Sequence, residues 1–596
     1  MLNKMINPDL SGKRVLCYST LLEKKVSLLV LLVFVGVGLL NAQTVIPGGD
    51  VIGSWALDSS PYLVEGDITV PNGETLTIDP GVLVEFQGHF ALNVQGQLLA
   101  IGTAQDSIHF TVVDTTGFHI PTWVVGAWNG IQFEGTPATN DSSKIVHCKL
   151  EFSKTIPQWP CLYNGGAIFV NDFSKLLVAN CNISNNRARS GGGVSIIGNS
   201  NPIFTYNKIC YNTVVGDTID GSTHGGGVCI RDEAAPTFIG NIISNNFNYG
   251  ITAYGGGVYI GNGSSPLLQG NVIWRNYAHG GYGGGLRILD SAPILINNDI
   301  QYNHGIEDEN GHMWVIGGAI SIFGGANHEI ILINNLVANN RGGTGVLHFM
   351  GSSVNIILIN NTIVDNHADC TIYTMLNQPE ITIVNSILSN PDCIEICNDM
   401  SGLILTIQNS FIRGGQENIE LGAATLNWLE GNIDGEPLFV DAENGYYTLQ
   451  QNSPCIDAGI AYFEWDGEVW VDMAEDEYYG IAPDMGCYEW EGVNTEDYEL
   501  PVNHNYQLTN HPNPFTGETT ISFSLTTNLH EKARIDIFNI RGQKVKTFDV
   551  ITNGAEGSVI WNGRDETNKP VSSGIYFYKL VVDGITVDTK KMILLK

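Results

Sequence analysis

A short phrase, Gly-Gly-Gly-Val-x-Ile, recurs down this chain and restricts what it can fold into. It stands at Gly191–Ile196 (GGGVSI), Gly225–Ile230 (GGGVCI), Gly255–Ile260 (GGGVYI), Gly283–Ile288 (GGGLRI) and Gly317–Ile322 (GGAISI). A second phrase, Asn-x-Ile-x-x-Asn, runs between the copies. It appears at Asn207/Asn212, Asn241/Asn246, Asn271/Asn276, Asn298/Asn303, Asn335/Asn340 (with Val for Ile), Asn361/Asn366 and Asn385/Asn390. A repeat of about 30 residues means stacked supersecondary units, not one globular core. In the copy from Gly255 to Asn276, Val258 and Ile260 alternate with Tyr259, as in a strand with one buried face. Leu267–Gln269 and Val272–Trp274 read as two more strands, parted by turn residues and a corner at Asn271. Nothing in the repeat has the length or period of a helix. One such coil cannot bury its own apolar face. Coils stacked at the ~4.8 Å strand spacing bury it continuously.

The Asn columns fit that stack. Asn tolerates the left-handed backbone of a tight corner, and its amide can donate to one neighbour while accepting from the other, which makes a ladder. These Asn and Gly residues therefore shape the coil and carry no chemistry. Cys148 and Cys181 occupy the first Asn place in earlier coils. Neighbouring coils would bring them to about 5 Å, within disulfide reach. Asp369-Cys370 and Asp392-Cys393 follow Asn366 and Asn390 in similar places, and Cys455 and Cys487 form another candidate pair.

Residues 24–42 read as a secretory signal: Lys24-Lys25, an apolar run from Val26 to Leu40, then Asn41-Ala42-Gln43 as a cleavage point. That run is short for a membrane span, so the processed protein is expected not to be an integral membrane protein. Export permits disulfides among the 11 Cys, one of which, Cys17, lies in the leader. The chain holds 28 Lys+Arg against 61 Asp+Glu, a net charge of −33. More than half of the basic residues lie in the leader and the last domain, so the body is more acidic still. Such a body repels a phosphate backbone, which excludes nucleic acid as a partner. It suits extracellular Ca²⁺, the one cofactor left open.

Residues 43–110 alternate apolar and polar positions. The run WALDSSPYLVEGDITVPNGETLTIDPGVLVEF (Trp55–Phe86), then Trp128-Asn-Gly-Ile131 and the Gly and Asn coils to about Gly415, resembles secreted right-handed parallel β-helix proteins of the pectate-lyase-like superfamily. The resemblance implies an all-β, single-stranded solenoid over residues 43–435 and is far more specific for fold than for activity. Pro437–Val440, Ser453–Gly459 and Pro483–Glu489 resemble the closing segment of such helices, so residues 436–490 are expected to cap the last coil. The acidic insertion between Glu464 and Glu477 lacks the spacing of a Ca²⁺ loop and reads as solvated. Residues 491–507 have linker composition.

Residues 508–596 read as a small Ig-like β-sandwich of short alternating strands with Asn-Gly and Asp-Gly turns. Asn510–Phe515, Ile537–Lys546, Val571–Lys579 and Lys590–Lys596 resemble the type A C-terminal sorting domain of type IX secretion cargo. That resemblance implies recognition by the outer-membrane translocon, with Gly574, Ile575, Tyr576, Lys590 and Lys591 in the signal, and a final place at the cell surface or in the medium after passage through the periplasm.

In the enzymes this helix resembles, substrates lie along one parallel sheet beside long lead-in loops. The Gly-Gly-Gly strands are that sheet here, and the segments before them vary most in length. Stacked loops bring Tyr254, His279, Tyr282 and Trp314 beside the outward positions Tyr259 and Arg287. Aromatic faces stack on sugar rings while polar tips bond hydroxyls, so these six residues form the expected carbohydrate groove, with an extracellular polysaccharide as partner. A lyase of the resembling class would use Arg287 as base, with Asp232, Glu233 and Asp290 close by. A hydrolase would need paired carboxylates. The outward positions Ser195, Cys229, Tyr259, Arg287 and Ser321 include none. The reading therefore favours a non-catalytic exported surface or adhesion protein that binds glycans, with a polysaccharide lyase or glycoside hydrolase as the alternative.

Overall fold

The computed structural model describes residues 43–120, 124–155, 165–216, 222–250, 252–305, 315–325, 328–352, 354–377, 380–491, 507–524, 533–539, 544–550, 556–582 and 585–595. The leader, most of the linker and Trp314 lie outside them. The described chain is strand and turn, with three single 3₁₀ turns and no α-helix. Three parallel sheets of fourteen strands run the length of the first unit. One carries the Asn-x-Ile strands, from Thr44–Ile46 to Phe411–Ile412. The second carries the glycine phrase, from Gly49–Asp50 to Ile419–Glu420. The third runs from Gly53–Trp55 to Thr425–Trp428. The glycine strands stack in register: Val194, Val228, Val258, Leu286 and Ile320 form one column and Ile196, Ile230, Ile260, Ile288 and Ile322 another.

Two constraints explain the glycines. Gly255 turns the chain at φ 74°, where a Cβ would stand 2.2 Å from the Val258 carbonyl oxygen. At Gly256 a Cβ would meet the Gly284 carbonyl oxygen of the next coil at 2.2 Å, so any side chain would pry the coils apart. Within the coil, Val258, Ile260, Leu268 and Ile273 are each at most 1% exposed and belong to one continuous core. Each contributes about 1.5–3 kcal/mol of burial.

Both Asn columns are buried ladders. In the first, Asn207, Asn241, Asn271, Asn298 and Asn335 each donate backbone N–H and Nδ2 to the Oδ1 of the next Asn, at 2.9–3.0 Å. Each Nδ2 also donates to a carbonyl of the preceding coil, as Asn271 does to Phe238 at 3.0 Å. The second ladder runs from Asn186 to Asn390 and ends on Glu395. This fully buried carboxylate accepts from Asn390 N–H at 2.7 Å and Nδ2 at 3.0 Å.

The structure corrects three expectations. Cys148 and Cys181 do hold ladder places, with Cys148 N–H donating to Cys181 Sγ at 3.4 Å, but both thiols are free. The disulfide joins Cys370 to Cys397, and Cys393, Cys455 and Cys487 are free. At the 385 coil, Ser386 takes the ladder place and Asn385 moves to the left-handed corner at φ 50°, because the repeat there has shifted by one residue. Residues 436–490 cover one side of the later coils, the last one included, instead of capping its end alone. Tyr447, Leu449, Cys455 and Met485 pack on the outer face of the Asn-x-Ile sheet, against Leu336, Ala338, Val364, Ile387 and Phe411. Tyr447 Oη donates to Asp365 at 3.0 Å and accepts from Asn339 at 2.9 Å, and Cys487 N–H donates to Thr362 at 2.9 Å. Apolar side chains on that outer face explain the placement, since they are buried by this cover. The last coil closes the core with its own half-buried Ile419, Leu426 and Trp428.

The second unit pairs a three-stranded with a four-stranded antiparallel sheet over a core that includes Phe515, Ile535, Trp561, Tyr576, Tyr578 and Leu594. Tyr576 Oη donates to the Ser572 carbonyl at 2.8 Å, and its ring meets Trp561 edge-on at 4.9 Å. The Lys590–Lys591 strand is the last one, paired with Gly574–Val582. Burial lowers the Lys591 amine to about 7.

Candidate functional site

Between the second Asn ladder and the glycine strand the chain makes an arm of two short strands in four coils and of one, Arg187–Ala188, in the Gly191 coil. The arms stack into accessory sheets: a five-stranded one that includes Phe247–Asn248, Tyr277–Ala278 and His304–Gly305, and a four-stranded one that includes Ser222–His224, Thr252–Tyr254 and Gly281–Tyr282. Buried Asn248 braces its arm. It accepts from Thr223 Oγ1 and donates to the Tyr254 and Gly255 carbonyls at 3.2 and 3.1 Å.

The arms bring four of the six expected groove residues together. Register places His224, Tyr254 and Tyr282 in one column, with Tyr254 stacked on both neighbours at 5.4 and 5.7 Å. This column folds over the middle positions of the glycine strands, so those positions are outward but not exposed. Ser195, Cys229, Tyr259, Arg287, Ser321 and His348 are all at most 3% exposed. The expectation that Tyr259 and Arg287 line an open groove is corrected on this point. His224 meets the Tyr259 ring edge-on at 4.7 Å. The Arg287 guanidinium lies 4.5 Å from the Tyr282 ring centroid, 5.7 Å from Tyr254 and 5.9 Å from Phe323. Its Nη1 donates to Ser321 Oγ at 2.6 Å, and its buried Nε has no partner. Aromatic faces thus hold the cation where a carboxylate would be expected.

Burial dominates the electrostatics. It lowers Arg287 to about 10, against the pull of Tyr254, Tyr259 and Tyr282, and so leaves it protonated at neutral pH. It lowers His224 to about 3 and His348 to about 4, pushes the Cys229 thiol up to about 12, and holds the Tyr259 phenol above its usual range.

His279 belongs to a different group. It is exposed and lies 6.5 Å from both Tyr249 and Tyr277. With Phe247 and His304 these rings form a row on the five-stranded accessory sheet, at centroid separations of 5.4–6.5 Å. Tyr249 is 48% exposed. Trp314 lies outside the described residues.

Of the acidic candidates, Asp290 acts on Arg287 through its charge, but none is bonded to it. Asp232, Glu233 and Asp290 lie in the turns after the glycine strands, all with positive φ. Asp232 pairs with Arg231 at 2.9 Å and accepts from Asn262 at 2.7 Å. Glu233 N–H donates to the Asn262 carbonyl, and the Asp290 carbonyl accepts from Gly263. No hydrogen bond or ion pair among the described residues joins any of the three to Arg287. Among those residues no group of three or more His, Cys, Asp or Glu side chains is arranged to hold a metal. Sequence reasoning missed His348 and Tyr373, which continue the Arg287–Ser321 column and stack at 5.1 Å. Their signal was present in Gly345-Val-Leu-His-Phe349, a glycine-poor copy of the phrase.

Residues 129–412 match the family described as right handed beta helix region, and residues 510–595 match the secretion system C-terminal sorting domain. The chain is a right-handed parallel β-helix protein with a C-terminal sorting domain that marks it for type IX secretion. A stretch of 70 residues, 11% of this chain, is 39% identical to Protein bark beetle of Drosophila melanogaster, and it spans 2% of that relative's length. The enzymatically active domain of bacteriophage CBA120 tailspike protein 2 is similar over 81% of this chain and 80% of its own, at 9% identity and a TM-score of 0.18. That score is too low to carry an argument. No helix among the described residues is long and apolar enough to cross a membrane.

Proposed function

We propose that the protein is carried through the periplasm to the cell surface or medium, where it binds glycan chains without cleaving them. The observation that supports binding is the row of half-buried Phe247, Tyr277 and His304 with exposed Tyr249 and His279, whose rings are aligned across successive coils by strand register. Such rings offer apolar faces to sugars with polar edges for hydroxyls. The absence of cleavage is supported by Arg287: a lyase base must give up its proton, and this cation is buried, protonated and joined to none of the acidic candidates. The test incubates processed protein with a panel of polysaccharides, with and without EDTA, and reads both retention and product. Retention without product, weakened by Tyr249→Ala and Tyr277→Ala, is the expected result. An unsaturated product lost in Arg287→Ala would establish a lyase instead, and EDTA-sensitive retention would add Ca²⁺ to the site.

A further inference from the structure

The ladder corners point to a second carbohydrate seat. The residue before seven of the eight second-ladder Asn turns left-handed: Asn185, Tyr211, Asn245, Arg275, Tyr302, Asn339 and Asp365, at φ 51–58°. Asn and Asp suit that backbone; a bulky side chain there is an outlier. Tyr211 and Tyr302 nevertheless take it, and so does Tyr206 at the other edge of the same sheet, at φ 55°. All three are exposed, at 55%, 37% and 49%. Strain accepted where the fold has an easier residue implies that the side chain does something the corner does not require.

These residues frame a bare part of the outer face of the Asn-x-Ile sheet. Half-buried Trp274 lies between the corners, with the Arg275 guanidinium 4.1 Å over its ring and Tyr302 edge-on at 6.0 Å. Ile242 beside them is 37% exposed. The same face is covered from Leu336 onward by residues 436–490, which bring Tyr447 and Met485 onto it. At the seam, Asp299 keeps a buried Oδ1 with no hydrogen-bond partner. The surface is thus built for cover, and the chain's own covering stops at its border.

We infer that a neutral oligosaccharide occupies it. Tyr211 and Tyr302 lie three coils apart, about 14 Å at the strand spacing, which suits a short linear glycan. The rings supply stacking faces and the exposed Arg275 a donor for hydroxyls. The acidic body disfavours a polyanion. This seat rests on the glycan reading above but is separate from the arm row.

The test titrates full-length processed protein with cellohexaose, xylohexaose, mannohexaose and chitohexaose. Tyr211→Asn and Tyr302→Asn install the residue type that neighbouring corners use. Together they should weaken binding tenfold or more, and Tyr211→Asn, whose ring has no aromatic partner among the described residues, should keep or raise Tm. Unchanged affinity in the double variant, with binding lost in Tyr249→Ala/Tyr277→Ala, would overturn the corner seat and leave the glycan reading standing. A fall in Tm with Tyr211→Asn would show a structural role and overturn it too. No binding of any of the four by the wild type would remove this seat, while retention of larger polysaccharides would still uphold the arm row.

Discussion

Tyr259 illustrates how far one residue's place can differ from its pattern. The alternation in Gly-Gly-Gly-Val-Tyr-Ile correctly sets it on the outer side of its strand, yet it is 2% exposed because the arm lies over it. Period-two alternation reports which side of a sheet a residue takes, not what covers that side. Tyr259→Ala should therefore destabilise the protein by about 3 kcal/mol, as other large buried truncations do, measured by chemical denaturation. Asn271→Leu or Asn298→Leu should cost about 1–3 kcal/mol by the same measurement, because each amide serves the coils on both sides. An unchanged midpoint in both would contradict a buried ladder. The ladder residues were legible because Asn at fixed spacing has a single physical use. The Cys370–Cys397 bond was not, since it crosses the strand register, which pairs Cys370 with Ile394 and Cys397 with Tyr373.

The second ladder, as an element, has a titratable end. Burial raises the Glu395 carboxyl to about 7, against the lowering effect of its bonds from Asn390 and the charge of Arg413. The folded state therefore keeps a proton that the unfolded chain releases near 4.5. This contribution is fully present below the unfolded value and is lost as pH rises through about 7. Its size is on the order of 3 kcal/mol. Buried His224 and His348, lowered to about 3 and 4, act in the opposite sense up to about pH 6.5, so the Glu395 effect is read as a difference: Tm of the wild type relative to Glu395→Gln should fall between pH 5 and pH 8. Glu489, also raised to about 7 chiefly by burial, leaves a residual slope in the variant. A difference between wild type and Glu395→Gln that stays independent of pH across this window would refute the assignment. The sequence showed the ladder but not its end, because Glu395 lies outside the Asn spacing and reaches Asn390 only through the folded turn.

At the scale of the whole molecule, the two units fail in different ways. Removing residues 589–596 takes Met592 and Leu594 out of the sorting domain core. The helix should stay folded while the protein accumulates in the periplasm, as fractionation and circular dichroism would show. Normal appearance of the truncated protein at the surface would refute the sorting role. Both units and their order were legible from repeats and from the tail motifs. The placement of residues 436–490 was not, because the face they cover is assembled from strands distant in sequence. The direction of the ladders adds one consequence. From Asn186 to Asn390 every link donates toward the C-terminal neighbour. A partly wound body therefore has a growing end that presents unmet amide donors, and only the coil bearing Glu395 finishes it. The opposite end has no such opening, because Asn186 Oδ1 already accepts from Ser153 of the preceding coil, so a nascent chain halted before the Glu395 coil is hazardous at its growing end alone.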